Sequence, residues 1–132
     1  MPNPIRILLV DDEPLILRSM QKTLLRAGYE VETAASCSAG WQVFEEAQRN
    51  DLNFNLAILD INMPGFEGVS PGAGLELLSR LLQKQPGLPV IMLTAYDDVG
   101  KAKEAVSRGA RNYLVKGREQ GLVEMIRQIL SA

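Results

Sequence analysis

The sequence has few of the residues on which many active sites depend. It contains no histidine and a single cysteine, Cys37, among its 132 residues. One cysteine cannot form an internal disulfide, which fits a reducing, cytoplasmic location. Because no histidine is present to activate the thiol, we interpret Cys37 as a small buried hydrophobe and not as a catalytic nucleophile.

Long apolar runs and blocks of one charge are also missing. The longest apolar runs, such as LAIL and VIML, are far shorter than a membrane span. The first run, IRILLV, is interrupted by Arg6 and followed by two aspartates, unlike a secretory signal. Fourteen basic and sixteen acidic residues give a net charge of −2, and no basic block suggests nucleic-acid binding. We expect one soluble domain over residues 1–132, without membrane or nucleic-acid contacts.

Apolar segments with strand and helix periodicity alternate along the chain. Strands are predicted at 5–10, 29–34, 55–59, 89–94 and 112–116. Helices are predicted at 14–27, 38–48, 75–83 and 98–108, and in the last segment from Leu122 to Leu130. The glycine-rich stretch 65–74 is predicted to be a loop. This alternation predicts an α/β fold with a parallel sheet and helices on both faces.

Polar residues follow four of the five predicted strands. Asp11 and Asp12 follow the first strand, Asp60 follows the third, Thr94 closes the fourth and Lys116 closes the fifth. Right-handed crossovers bring the carboxyl ends of parallel strands to one edge of the sheet, where such folds bind ligands. We therefore expect these side chains to lie together.

The predicted cluster of carboxylates requires a compensating charge. Two like charges about 4 Å apart repel by roughly 4 kcal/mol at an effective dielectric of about 20. Mg²⁺, a hard cation with oxygen ligands, would resolve this repulsion among Asp11, Asp12 and Asp60, and Lys116 would add a second positive charge. Asp60 could then act as a nucleophile toward a phosphoryl group, with Thr94 as a hydroxyl donor.

Several of these acids have a simpler interpretation when each is considered alone. Asp12 or Glu13 could cap the first helix, with Pro14 in its first turn. Asp97 or Asp98 could cap the fourth helix in the same way. Capping explains individual residues, but it does not explain why acids, a hydroxyl and a lysine meet at one edge.

Four motifs resemble those of the receiver domains of two-component response regulators. In chain order they are ILLVDDEP (7–14), LAILDINMPG (56–65), VIMLTAY (90–96) and GARNYLVKG (109–117). The resemblance implies a flavodoxin-like, doubly wound parallel sheet of five strands in the order 2-1-3-4-5, with five helices on its two faces. It also implies a signalling domain that assists its own phosphorylation and dephosphorylation, and not an enzyme acting on a separate substrate.

The resemblance assigns a phosphoacceptor and a metal site. Asp60 would accept a phosphoryl group from a phosphohistidine on a histidine kinase or a histidine phosphotransfer protein. Asp12, Asp60 and the main-chain carbonyl of Asn62 would bind Mg²⁺, and Asp11 would help through water.

The resemblance also assigns the residues that respond to phosphorylation. Lys116 and Thr94 would contact the phosphoryl oxygens, and Tyr113 would change rotamer as Thr94 moves. The side chains of Asn62 and Tyr96 would tune hydrolysis of the acyl phosphate. The surface of the fourth helix, fifth strand and fifth helix would carry the output, and a homodimer through the fourth and fifth helices is a further expectation.

The sequence departs from the family pattern at two places. Gly117 follows Lys116 where the family usually has proline, and an insertion of about five residues, VSPGA (69–73), precedes the third helix.

Three alternative functions remain open. A degenerate receiver that acts only in protein interaction is the main alternative. A phosphohydrolase resembling haloacid dehalogenases would need a second acid where Asn62 stands. A flavodoxin-like cofactor binder would meet repulsion between phosphate and DDEP. The chain could be a free-standing receiver or part of a longer regulator.

Overall fold

The computed structural model describes residues 4–65, 68–69, 72–95, 98–117 and 119–131. Five strands form its main sheet: β1 (Arg6–Val10), β2 (Glu30–Ala34), β3 (Leu56–Asp60), β4 (Val90–Thr94) and β5 (Asn112–Val115). Their spatial order is β2-β1-β3-β4-β5, and every neighbouring pair is parallel. The predicted doubly wound α/β fold and its order 2-1-3-4-5 are confirmed.

Five α-helices alternate with these strands. They are α1 (Pro14–Arg26), α2 (Cys37–Arg49), α3 (Ala73–Lys84), α4 (Val99–Ser107) and α5 (Leu122–Ser131). A short 3₁₀ helix, Glu119–Gly121, leads into α5. Ser36 caps α2 by accepting a hydrogen bond from the amide of Ala39 at 3.1 Å, as expected for serine at this position. Within the described residues, no helix has the length and apolar character that a bilayer crossing requires.

Alternate residues of the central strands supply two apolar cores. Leu8 and Leu59 face the core that α2, α3 and α4 cover, whereas Leu9 and Ile58 face the core under α1 and α5. Because both faces are covered, all of β3 and β4 is buried. This burial explains why these strands appear in the sequence as continuous apolar runs.

Cys37 lies in the first of these cores. Its side chain is fully buried, and its thiol donates to the carbonyl of Ala73 at 3.5 Å. Burial raises the pKa of the Cys37 thiol to about 11. The interpretation of Cys37 as a buried hydrophobe is confirmed.

The predicted loop at 65–74 is partly wrong. Pro64–Gly65 and Gly68–Val69 pair as a short antiparallel ribbon, and α3 begins at Ala73, two residues before its predicted start. Glycine at 74 permits this start, because a Cβ there would lie 2.0 Å from the carbonyl oxygen of Asp60. The amide of Gly74 donates to the carbonyl of Ile61 at 2.8 Å, so the first turn of α3 rests on the end of β3.

Candidate functional site

The strand register brings two aspartates side by side at the carboxyl edge of the sheet. Val10 of β1 pairs with Leu59 of β3, so the residues that follow them, Asp11 and Asp60, are neighbours. Both are buried, with 0% and 2% of their surface exposed. Asp12 is exposed beside them. The prediction that these acids lie together is confirmed.

Lys116 reaches into this group from the end of β5. Its backbone amide donates to the carbonyl of Thr94 at 2.8 Å, which extends the pairing of β4 with β5 by one residue. Its ammonium lies 2.8 Å from Asp60 Oδ2, 3.2 Å from Asp11 Oδ1 and 2.6 Å from Glu13 Oε1. The lysine therefore bridges the carboxylate that ends β3 and two carboxylates that lie between β1 and α1.

Burial and charge shift the pKa values of this group. Burial raises the pKa of Asp60 to about 7; the hydrogen bond from Lys116 opposes that shift, and the neighbouring charge of Asp11 adds to it. Burial likewise raises the pKa of Asp11. Burial lowers the pKa of Lys116, but hydrogen bonds to Asp60 and Glu13 outweigh it and the net pKa is raised. The site therefore holds a lysine cation among carboxylates that resist ionising together.

The same carboxylates suit a hard divalent cation. One oxygen from each of Asp11, Asp12, Glu13 and Asp60 lies within 4.8 Å of the others. Asp11 Oδ2 is buried and has no hydrogen-bond partner among the described residues, so it is available as a ligand. Oxygen donors of this kind are the ones that Mg²⁺ prefers. The residues present could therefore hold a metal ion at this edge.

Thr94 and Tyr113 lie on the strands predicted to contain them. Thr94 is 1% exposed, and its hydroxyl donates to the carbonyl of Ala95 at 3.1 Å. Tyr113 is half-buried on β5, two strands from Asp60, and its side chain packs against the core under α3 and α4. The two residues lie on neighbouring strands.

Asn62 joins the loop after β3 to two helices. Its side-chain amide donates to Asp98 at the start of α4, and its Oδ1 accepts from the amide of Gly72 before α3 at 2.9 Å. Its own amide makes a long contact of 3.4 Å with Asp60 Oδ1. Tyr96, the other residue expected to tune hydrolysis, lies outside the described residues.

For Glu13 and Asp98 the capping interpretation holds for position but not for side chains, and Asp97, the other candidate cap of α4, lies outside the described residues. Glu13 and Asp98 occupy the N-cap positions of α1 and α4, with Pro14 first in α1, yet neither carboxylate bonds to the helix amides that the structure describes. Glu13 instead contacts Lys116, and Asp98 contacts Asn62. Sequence reasoning missed both contacts. The acidic run DDE was the available signal for Glu13, and no local pattern indicated the contact of Asp98.

Comparisons with known proteins point to one family. The family model described as "Response regulator receiver domain" matches residues 7–127. Relatives include the response regulator protein FleR of Pseudomonas aeruginosa, 34% identical over 122 residues, which are 92% of this chain and 24% of FleR. The transcriptional regulatory protein GlrR of Escherichia coli is 34% identical over 113 residues, 86% of this chain and 23% of GlrR. The chain thus spans about a quarter of the length of these relatives.

Solved structures agree with this grouping. A CheY-like response regulator receiver domain protein from Methanospirillum hungatei has a TM-score of 0.82 and 34% identity, covering 98% of this chain and 95% of that one. The response regulator protein TrrA from Thermotoga maritima, in complex with Mg²⁺-BeF, has a TM-score of 0.77 and 33% identity, covering 95% and 98%.

Residues 7–127, which the family model matches, include the acids and the lysine of the site described above. This chain belongs to the response regulator receiver domain family of two-component signalling.

Proposed function

We propose that this domain accepts a phosphoryl group on Asp60 and changes its output surface in response. The observation that carries the proposal is the geometry of Asp60, a buried carboxylate that faces the Lys116 ammonium at 2.8 Å beside two further aspartates. The donor would be a phosphohistidine on a histidine kinase or a histidine phosphotransfer protein. The domain would serve as a signalling module that assists its own phosphorylation and dephosphorylation.

The proposed transfer requires Asp60 to be ionised. Its carboxylate oxygen forms the new bond to phosphorus while the bond from phosphorus to the imidazole nitrogen breaks, leaving an aspartyl phosphate and a free imidazole. Mg²⁺ held by Asp11, Asp12, Asp60 and the carbonyl of Asn62 would offset negative charge on these oxygens. Burial raises the pKa of Asp60 to about 7 and so favours its protonated form. Positive charge at this edge would favour the ionised form, which is the one that reacts.

Lys116 and Thr94 would contact the transferred group. The ammonium already lies beside Asp60, so it would donate to a phosphoryl oxygen after a small movement. The Thr94 hydroxyl donates to Ala95 in this structure, so it would exchange that partner for a phosphoryl oxygen. Tyr113 on the adjacent strand would repack, which would pass the change to the face of α4, β5 and α5.

The lifetime of the aspartyl phosphate and the partners of the domain are further parts of the proposal. Asn62 lies two residues after Asp60 and Tyr96 two residues after Thr94, and we propose that they tune hydrolysis. A homodimer through α4 and α5 would be one form of output. FleR and GlrR are both named as regulators and are about four times longer than this chain, which supports a role in controlling a larger or separate effector.

Intact-mass measurement tests the proposal. The protein is incubated with Mg²⁺ and acetyl phosphate, beside a metal-free sample and an Asp60→Ala variant. We expect one added phosphoryl group in the complete mixture and none in either control. A folded protein that gains no mass under any condition would contradict the proposal and favour a receiver that acts only through protein interaction.

A further inference from the structure

We propose that Glu13 is a positioning residue that aims the Lys116 ammonium at the phosphoryl group, an inference that rests on the proposed function. Among the described residues three carboxylates contact this ammonium, and the contact with Glu13 Oε1, at 2.6 Å, is the shortest. The lysine side chain is only 12% exposed, whereas that of Glu13 is 54% exposed. Glu13 thus contacts the lysine at the exposed rim of the site, whereas Asp11 and Asp60 contact it from the buried side.

The backbone of Glu13 is held firmly enough to serve as an anchor. Its amide donates to Asp11 Oδ1 at 2.9 Å, and its carbonyl accepts from the amide of Leu17 at 2.9 Å. Pro14, the next residue, is the first of α1 and has no amide hydrogen to satisfy. Glutamate at this N-cap makes no capping bond within the described part of α1, so its carboxylate is available to the lysine.

Lys116 benefits from such an anchor. A lysine side chain has several freely rotating bonds, and aiming its ammonium costs conformational entropy. The residue after it, Gly117, has φ +87°, a conformation that glycine adopts without strain and that places no ring or Cβ against the lysine. A carboxylate that faces the ammonium compensates for the rotational freedom of the lysine side chain by favouring one orientation.

Glu13 differs from the other two acids in what it does during the proposed reaction. Asp60 would be converted to the aspartyl phosphate, and Asp11 has a buried oxygen that no described residue contacts by a hydrogen bond and that suits a metal ion. Both carboxylates would therefore share their charge with other groups. Glu13 would remain as the carboxylate available to Lys116, so its effect would be greatest at the transfer step.

The first test compares transfer rates at saturating Mg²⁺ across a range of acetyl phosphate concentrations. We expect Glu13→Gln to lower the maximal rate about three- to tenfold, and Glu13→Asp to give an intermediate rate because it keeps the charge on a shorter side chain. Glu46→Gln is the matched control, since Glu46 is exposed on α2. The control should stay within about twofold of the wild type. A Glu13→Gln variant that is as fast as the wild type, or faster, would overturn the proposal.

Two further measurements separate positioning from other roles. Calorimetric titration with Mg²⁺ should give the same affinity for Glu13→Gln and the wild type; a loss of about tenfold or more would make Glu13 a metal ligand instead. In the protein without donor, the ¹⁵N chemical shift of the Lys116 ammonium should move in Glu13→Gln and not in Glu46→Gln. An unmoved shift would overturn the proposal even if the wild type accepts no phosphoryl group, so this result is distinct from failure of the proposed function. Unfolding temperatures of all variants verify that they are folded.

Discussion

At the residue scale, Asp60 combines two properties that oppose each other. Because Asp60 ends a fully buried strand, ionising its carboxylate costs desolvation free energy. The neighbouring Lys116 ammonium favours the ionised form. Folding therefore buries an acid whose charge is opposed by desolvation and offset by a neighbouring cation. Such a conflict between stability and local chemistry is typical of functional sites.

The cost of this charge predicts a pH-dependent effect of Asp60→Asn in metal-free solution. The pKa of Asp60 rises from 3.8 to about 7 on folding because of burial. The folded state therefore holds this proton more tightly, and the free energy of unfolding of the wild type decreases as pH rises from about 4 to about 7. Above pH 7 we expect Asp60→Asn to be more stable than the wild type by about 1–3 kcal/mol, with the difference shrinking toward pH 4.

Denaturant unfolding at several pH values measures this difference. Asp51→Asn, which removes an exposed acid outside the cluster, tests for a general effect of net charge. Adding Mg²⁺ should stabilise the wild type more than Asp60→Asn, because the variant lacks one ligand. Parallel stability curves for wild type and Asp60→Asn across this pH range would contradict the interpretation that the ionised Asp60 carboxylate destabilises the folded state.

Sequence reasoning works well for residues whose position follows from strand register. Asp60 and Thr94 end a strand, and Asp11 and Lys116 directly follow one, so the order of the strands is enough to bring these residues to one edge. It works less well for Glu13, because the direction of a long side chain depends on which partner is nearest in three dimensions. A capping role was the local expectation, and the bond to Lys116 took precedence over it.

At the scale of elements, the contact between α3 and β3 controls how closely a helix approaches the acceptor. The first turn of α3 lies directly against the backbone of Asp60, at a distance that only glycine at position 74 allows. Backbone atoms cannot rotate away from a new side chain. The placement of α3 and that of Asp60 are therefore linked.

We predict that Gly74→Ala disturbs this contact strongly. Its Cβ would lie 2.0 Å from the carbonyl oxygen of Asp60 and 2.8 Å from the Cα of Ile61, so α3 would have to shift. We expect a loss of about 2–4 kcal/mol in the free energy of unfolding and slower phosphorylation of the protein that remains folded.

Gly100→Ala is the matched control, measured by the same denaturant titration. Gly100 lies exposed in α4, and a Cβ there would have no described atom within 4 Å. We expect this variant to be as stable as the wild type or more stable by up to about 1 kcal/mol, because alanine favours a helix. Equal effects at positions 74 and 100 would show that packing against Asp60 is unimportant.

The segment before α3 shows where pattern reasoning fails for elements. Glycine and proline clusters predict loops, because they break helical and strand periodicity. Here two pairs of residues nevertheless form an antiparallel ribbon, and the helix begins earlier than its leucines indicate. Backbone pairing and the close approach at Gly74 are tertiary effects that hydrophobic periodicity does not record.

At the scale of the whole molecule, the fold separates the acidic site from the two apolar cores. Helices cover both faces of the sheet, which leaves its carboxyl edge as the place where charged groups can meet water and a partner. The alternation of strands and helices was readable from the sequence because both faces are apolar. The partners could not be predicted in the same way, because their identity depends on the surfaces of other proteins.

The most direct test of the central claim identifies the residue that carries the phosphoryl group. After reaction with acetyl phosphate and Mg²⁺, borohydride reduces an aspartyl phosphate to homoserine and leaves unmodified aspartate unchanged. Peptide mass spectrometry then locates the homoserine. We predict homoserine at position 60 in the complete reaction, and none without Mg²⁺ or donor. Homoserine at another aspartate, or a phosphorylated protein that yields none at position 60, would contradict the claim that Asp60 is the acceptor.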